Sequence, residues 1–235
     1  MPSSSISVAA ARSTVRPRAI LFDMDGLLVE TESTWHRAES SVMAEVGVAW
    51  TQALAHQFVG GPISQAAEIM AGIAGHRVSA AEIETSLVDL MEHLLVTEPI
   101  HWRPGARELL VEAAAEEIPC ALVSNSYRRL MNAVLVAIET DLGRVPFSTT
   151  VAADELSAGK PSPIPYLTAA ARLECRPEDC VVLEDSSVGV TAGLASGARV
   201  VGVPNVVPLE PQPGLVIVSS LAEVSLADLR ALFMA

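Results

Sequence analysis

At 235 residues, half of them hydrophobic and 18% charged, the chain is globular and long enough for one large domain or two modest ones. A formal charge of −13 argues against a nucleic-acid partner, which needs a basic stripe, but leaves room for a small anionic substrate met by one lysine and a bound metal. No apolar run approaches the roughly 18–20 residues of a membrane span, so no membrane partner is expected.

Residues 1–17, "MPSSSISVAAARSTVRP", are rich in Ser, Ala and Arg and lack acids; they read as a disordered tail of weakly transit-like character. "AILF" (19–22) is the first buried strand. From about Glu32 to Ile100 no strand follows; instead three helical patterns recur, at 33–47, 63–75 and 79–96. The last sets Ile83, Leu87, Leu90, Met91, Leu94 and Leu95 on one face and opens with Ser79 and Glu82 as a capping box. Gly47 is suited to end the first. A helix over 103–117 then returns to the sheet, with Pro104 in its first turn.

Beyond it, "CALVS" (120–124), "TTVAA" (149–153), "CVVLED" (180–185) and "RVVGV" (199–203) alternate with helical stretches, and "GLVIVSS" (214–220) offers an edge strand. Continuous apolar runs separated by helices specify a parallel sheet covered on both faces. "PNVVPLEPQP" (204–213) reads as a Pro-stiffened surface connection. Cys120, Cys175 and Cys180 have no metal-ligand spacing and fit free thiols in a reducing cytosol, which sets the expectation of a cytoplasmic protein. All five histidines and three tryptophans fall between 35 and 102, so chemistry at the strand ends is carboxylate, hydroxyl and lysine chemistry.

In a parallel α/β sheet ligands bind beyond the carboxyl ends of the strands. Those ends carry Asp23 and Asp25, then Ser124 and Asn125, then Glu184 and Asp185, with Lys160 in "SAGKPSPIPYL" ahead of a helix. Four acids at one place repel unless a cation sits among them, and a hard divalent ion such as Mg²⁺, completed by waters and a phosphate, is the natural one. Asp23 and Asp25, two apart on an extended chain, face one pocket. A metal-held carboxylate stays ionised and can attack phosphorus, while its neighbour can hold a proton for the leaving oxygen. Gly26 permits the turn that follows.

A calcium loop from Asp23 fails on Leu27, Leu28 and Thr34, and an NTPase phosphate loop at "GKPS" fails on Asp154 and Pro161. Ser124 could also cap the next helix, and Trp35 and His36 read as helix-packing residues.

The order DxDG, S-N, K-P, E-D-S across residues 18–204 resembles the haloacid dehalogenase-like hydrolase superfamily. The helical insert directly after the first motif resembles its β-phosphoglucomutase and sugar-phosphate phosphatase branch. That resemblance implies a Rossmann-like doubly wound parallel sheet core at 18–31 and 101–235 with an all-helical cap inserted at 32–100. By the same resemblance Asp23 is the nucleophile that forms an aspartyl-phosphate and ligates Mg²⁺, and Asp25 is the general acid/base with its backbone carbonyl on the metal. Ser124, with the Asn125 backbone N–H, holds the phosphoryl group; Lys160 neutralises it; Asp185 ligates Mg²⁺, with Glu184 close by or acting through water.

The pattern departs at Ile164, where relatives carry an acid, which puts a local capping contact in question. The expected function is a Mg²⁺-dependent phosphatase of small phosphomonoesters, sugar or polyol phosphates, acting as a monomer. A hexose-phosphate mutase is the alternative, disfavoured because "FVGGPISQ" lacks an arginine and Trp35 replaces a histidine; a non-catalytic phosphate-binding protein would not need both aspartates. The resemblance also implies that the insert closes over the pocket on hinges near 30–33 and 99–104.

Overall fold

The computed structural model describes residues 17–234. The tail expected over 1–17 therefore lies outside the described residues, except for Pro17, which is buried. The apolar runs form β1 (Ala19–Phe22), β2 (Cys120–Val123), β3 (Thr149–Val151), β4 (Cys180–Glu184), β5 (Arg199–Gly202) and the edge strand β6 (Leu215–Ile217). All pair in parallel, in the order β3-β2-β1-β4-β5-β6. The chain runs outward from β1 to one edge, then returns to β4 on the other side of β1. This reversal opens a crevice beyond the carboxyl ends of the central strands.

Successive side chains of a strand point to opposite faces, so one apolar run supplies two cores. Ile20 and Phe22 join Leu109 of α5 (Ala106–Ala115), Met131 and Val134 of α6 (Arg128–Leu142), and Leu229 of α9 (Leu226–Ala231). Leu21 joins Tyr166 and Ala169 of α7 (Ile164–Arg172) and Val190 of α8 (Ser187–Ser196) on the other face.

The segment between β1 and α5 is helical, as expected: α1 (Glu32–Glu45), α2 (Gln52–Ala55), α3 (Ile63–Ile73) and α4 (Ala80–Thr97). Met43, Met70, Leu87 and Met91 form a separate apolar cluster there, which also takes in Leu130 of α6. The predicted capping box is present: Ser79 Oγ accepts from Glu82 N at 3.2 Å and Glu82 Oε2 accepts from Ser79 N at 3.0 Å. Gly47 lies just past α1 at φ +72°, where a glycine is cheapest. The two crossings between insert and sheet are tied together, with Glu30 N donating to His101 O at 2.7 Å and Arg103 N to Leu28 O at 3.0 Å.

Four local expectations differ. Pro104 is outside α5, because Gly105 at φ +83° precedes the helix and presses on Ala222, where a Cβ would come within 2.1 Å of the backbone nitrogen. Ser124 does not cap α6, which starts at Arg128; its Oγ accepts from Ser126 N at 2.9 Å instead. The start of α7 does not need an acid at position 164, because Ser162 Oγ accepts from Ile164 N at 3.3 Å. The 204–213 connection is not wholly superficial: Leu209 is buried and Val206 lines the main cavity, because the loop folds back over the strand ends.

Candidate active site

Asp23 leaves the end of β1 and is buried, so its charge needs partners. Lys160 supplies one. Its Nζ pairs with Asp23 Oδ1, donates to Glu184 Oε1 at 2.6 Å, and donates to Val123 O at 3.0 Å. All three ammonium donors are used, and the side chain is only 2% exposed. The two carboxylates hold the Lys160 ammonium on against burial, which opposes it, so its pKa lies above its ordinary value.

Glu184 is saturated. Tyr166 Oη donates to its Oε1 at 2.6 Å, while Oε2 accepts from Asp185 N at 3.1 Å, Ser186 N at 3.4 Å and Ser186 Oγ at 3.2 Å. It sits where Gly189 leaves room, since a Cβ there would stand 1.8 Å from Oε1. Burial, then the neighbouring Glu184 charge, pushes the Tyr166 phenol well above its ordinary pKa.

Asp185 is different. Its Oδ2 is buried without a hydrogen-bond partner, and it packs where Gly26, at φ +82°, would otherwise place a Cβ 2.1 Å away. Asp23, Glu184 and Asp185 bring ligand atoms within 4.8 Å of one another. Burial first, then mutual repulsion, pushes the carboxyls of Asp23 and Asp185 well above the usual carboxylate range. A dication among them would reverse that. An orphaned carboxylate oxygen beside a second buried acid is a donor set that fits a hard cation such as Mg²⁺. Because every lone pair of Glu184 is already occupied, Asp23 and Asp185 are the acids free to hold it.

The Asp25 carboxylate stands apart from this cluster. Oδ1 accepts from Thr31 Oγ1 at 2.7 Å and Trp35 Nε1 at 3.5 Å; Oδ2 accepts from Ser126 Oγ at 2.8 Å and Ser124 Oγ at 3.1 Å. Asn125 joins two loops: Nδ2 donates to Gly60 O at 2.9 Å and Lys160 O at 3.0 Å, and Oδ1 accepts from Lys160 N at 2.7 Å. Gly60, between α2 and α3, also lies against Ser186, where a Cβ would come within 2.4 Å of Oγ.

A cavity of about 450 Å³ opens above these groups, with Asp23, Asp25, Ser124, Asn125 and Lys160 on one side and Glu32, Trp35, His36, Glu39 and Phe58 of the insert on the other. Trp35 and His36 therefore line the site instead of only packing the helices, because α1 begins directly beside the Asp25 turn. Burial, more than the nearby Asp25, Glu30 and Glu39 charges, pushes the Glu32 carboxyl up to about 8.

Five of the six expected site residues thus meet at the cavity, and Asp185 meets Asp23 just beneath it. Thr31, Ser126, Tyr166 and Asn205 are members of the site that the motifs do not name. Asn205, whose Nδ2 is buried without a partner beside Gly26, follows the end of β5, so the strand-end rule points to it. Tyr166 and Thr31 carry no local signal.

An open parallel sheet with a carboxylate–lysine centre at its strand ends defines a Rossmann-like α/β enzyme. The chain belongs to the haloacid dehalogenase-like hydrolase family, whose model matches residues 17–197. It is similar to hexitol phosphatase B of Escherichia coli, 33% identical over an alignment of 238 positions that covers 91% of this chain and 98% of that one. It is also similar to the bifunctional riboflavin kinase/FMN phosphatase of Arabidopsis thaliana, 32% identical over 186 residues, 79% of this chain; there it spans only 48% of the relative's length. Among solved structures, CbbY of Rhodobacter sphaeroides, crystallised with phosphate, matches with a TM-score of 0.79 at 28% identity, over 90% of this chain and 98% of that one.

Proposed function

We propose that the protein is a Mg²⁺-dependent phosphatase of small phosphomonoesters, sugar or polyol phosphates, acting through an aspartyl-phosphate on Asp23. The observation that carries this is the division of the two aspartates: Asp23 lies against Lys160, while Asp25 is held by four side-chain donors. One is placed to attack; the other, whose Thr31, Ser124 and Ser126 hydroxyl partners can turn from donating to accepting, can carry a proton.

Mg²⁺, held by Asp23, Asp185 and the Asp25 backbone carbonyl, would supply charge neutralisation for the incoming phosphate. An Asp23 carboxylate oxygen attacks phosphorus, and the ester oxygen departs with a proton from Asp25. Asp25 then takes a proton from the water that hydrolyses the aspartyl-phosphate, which returns Asp23 and releases phosphate. Lys160 balances the charge on Asp23 and the phosphoryl oxygens, and Glu184 and Tyr166 fix Lys160 in place. The Ser124 hydroxyl, turning from Asp25, and the Asn125 backbone N–H bind the phosphoryl group.

Residues 32–100 act as the cap over a core of 18–31 and 101–235, a reading supported by the Asn125–Gly60 and Gly60–Ser186 contacts between insert and core. Hydrolysis is favoured over a mutase reaction, which must hold a second phosphate. Of the lysine and arginine that line the cavity among the described residues, Lys160 serves the transferring group and Arg37 is engaged by Glu98 at 2.9 Å.

Asp23→Asn should abolish Mg²⁺-dependent phosphate release across a panel of sugar, polyol and nucleotide monophosphates, with product NMR to detect isomerisation. Turnover retained by Asp23→Asn, or activity indifferent to EDTA, refutes the mechanism.

A further inference from the structure

The far side of the cavity carries chemistry that phosphoryl transfer does not use. Helix α1 turns Glu32, His36 and Glu39 toward it, spaced four and three apart on one face. Glu39 is only 7% exposed. Trp50 Nε1 donates to its Oε2 at 2.8 Å, and its other carboxylate oxygen has no hydrogen-bond partner among the described residues. The Trp50 indole is itself held by stacking on Phe58, 6.0 Å away between ring centroids, and Phe58 lines the same cavity. With one oxygen pinned by the indole and the other open to the cavity, the Glu39 carboxylate can accept a hydrogen bond from something that enters.

The same wall is hostile to anions. Glu39 is an acid, Arg37 is tied to Glu98, Lys160 is spent on Asp23 and Glu184 at the phosphoryl end, and the remaining basic groups on the cavity wall among the described residues are the imidazoles of His36 and His56. A second phosphate or a carboxylate on the leaving group would meet the Glu39 carboxylate here with no free lysine or arginine to balance it.

We propose that Glu39, positioned by Trp50, recognises a hydroxyl or ammonium group on the leaving part of the substrate. The substrate class is therefore monophosphates of polyols or amino-polyols, with bisphosphates and carboxylate-bearing esters rejected. This rests on the phosphatase reading of the site.

The test compares kcat/KM for a hexitol monophosphate, a hexosamine monophosphate, a hexose bisphosphate and phenyl phosphate, whose leaving group offers Glu39 no donor. For the wild type, the bisphosphate should lie at least about tenfold below the monophosphates. In Glu39→Ala the ratio of hexitol phosphate to phenyl phosphate should fall about 10- to 100-fold, the worth of a hydrogen bond to a charged group. Glu39→Gln keeps an acceptor for Trp50, so it guards against misfolding; it should narrow the gap to the bisphosphate and, where the wild type prefers the hexosamine over the hexitol ester, lose most of that preference. A preference for the hexosamine ester identifies the ammonium as the recognised group, and equal turnover of both identifies a hydroxyl. An unchanged ratio in Glu39→Ala, or wild-type turnover of the bisphosphate equal to that of the monophosphates, overturns the Glu39 assignment while phosphate release from phenyl phosphate persists. No release from any ester overturns the phosphatase reading, and this one with it.

Discussion

Gly189→Ala sets two effects against each other. Gly189 is in the first turn of α8, and alanine is better than glycine in a helix interior by about 1 kcal/mol, so propensity alone favours the variant. The new Cβ, however, would stand 1.8 Å from Glu184 Oε1, 1.9 Å from Cδ and 2.1 Å from Oε2. The whole carboxylate head occupies the space that glycine vacates. Glu184 cannot move aside without leaving Lys160, Tyr166 and the backbone N–H groups of Asp185 and Ser186. Breaking a buried ion pair costs about 3–5 kcal/mol, so the net expectation is a loss of about 2–4 kcal/mol. Urea unfolding followed by circular dichroism measures it, with Gly72→Ala as the control. Gly72 lies in α3, where a Cβ meets nothing within 4 Å, so that variant should gain up to about 1 kcal/mol. Because Glu184 anchors the lysine beside Asp23, Gly189→Ala should also lower kcat. If it unfolds at the same urea concentration as Gly72→Ala, or a higher one, the reasoning is wrong.

Further expectations concern the other buried acids and the insert. Burial raises the Glu39 carboxyl from 4.5 to about 6, so the folded protein holds a proton there that the unfolded chain releases, and this contribution to stability is lost as pH rises from 4.5 through 6. Glu39→Gln removes that loss, and its stability relative to wild type should improve by about 2 kcal/mol between pH 4 and pH 7.5; parallel curves would refute the assignment. Thr31→Val removes the 2.7 Å bond to Asp25 from a buried position, and should lower kcat about 10- to 100-fold and the unfolding free energy by about 1–3 kcal/mol; an unaltered kcat would show that Asp25 needs no such support. If the insert closes as a cap, a phosphate analogue with Mg²⁺ should slow proteolysis near residues 30–33 and 99–104, and identical cleavage patterns would exclude closure.

What the sequence alone determined was whatever short-range rules encode. The parallel sheet followed from runs such as "AILF" and "CVVLED", the start of α4 from Ser79 and Glu82, and the site's membership from residues that end strands. Where a local rule was outweighed by a distant contact it failed: the start of α5 was decided by Gly105 pressing on Ala222, far along the chain. The partners of each buried charge were likewise invisible. Lys160 and Asp23 are 137 residues apart, and Glu184 proved to be the anchor of that lysine, because a tyrosine on α7 and a glycine on α8 converge on it. Asp25 takes donors from its own turn, from α1 and from the loop after β2, and Glu39 faces the same cavity only because α1 crosses above those strand ends. Periodicity and capping act over a few residues and survive in any local window. The compensation of buried charge is a property of the packed chain, and only the tertiary structure decided it.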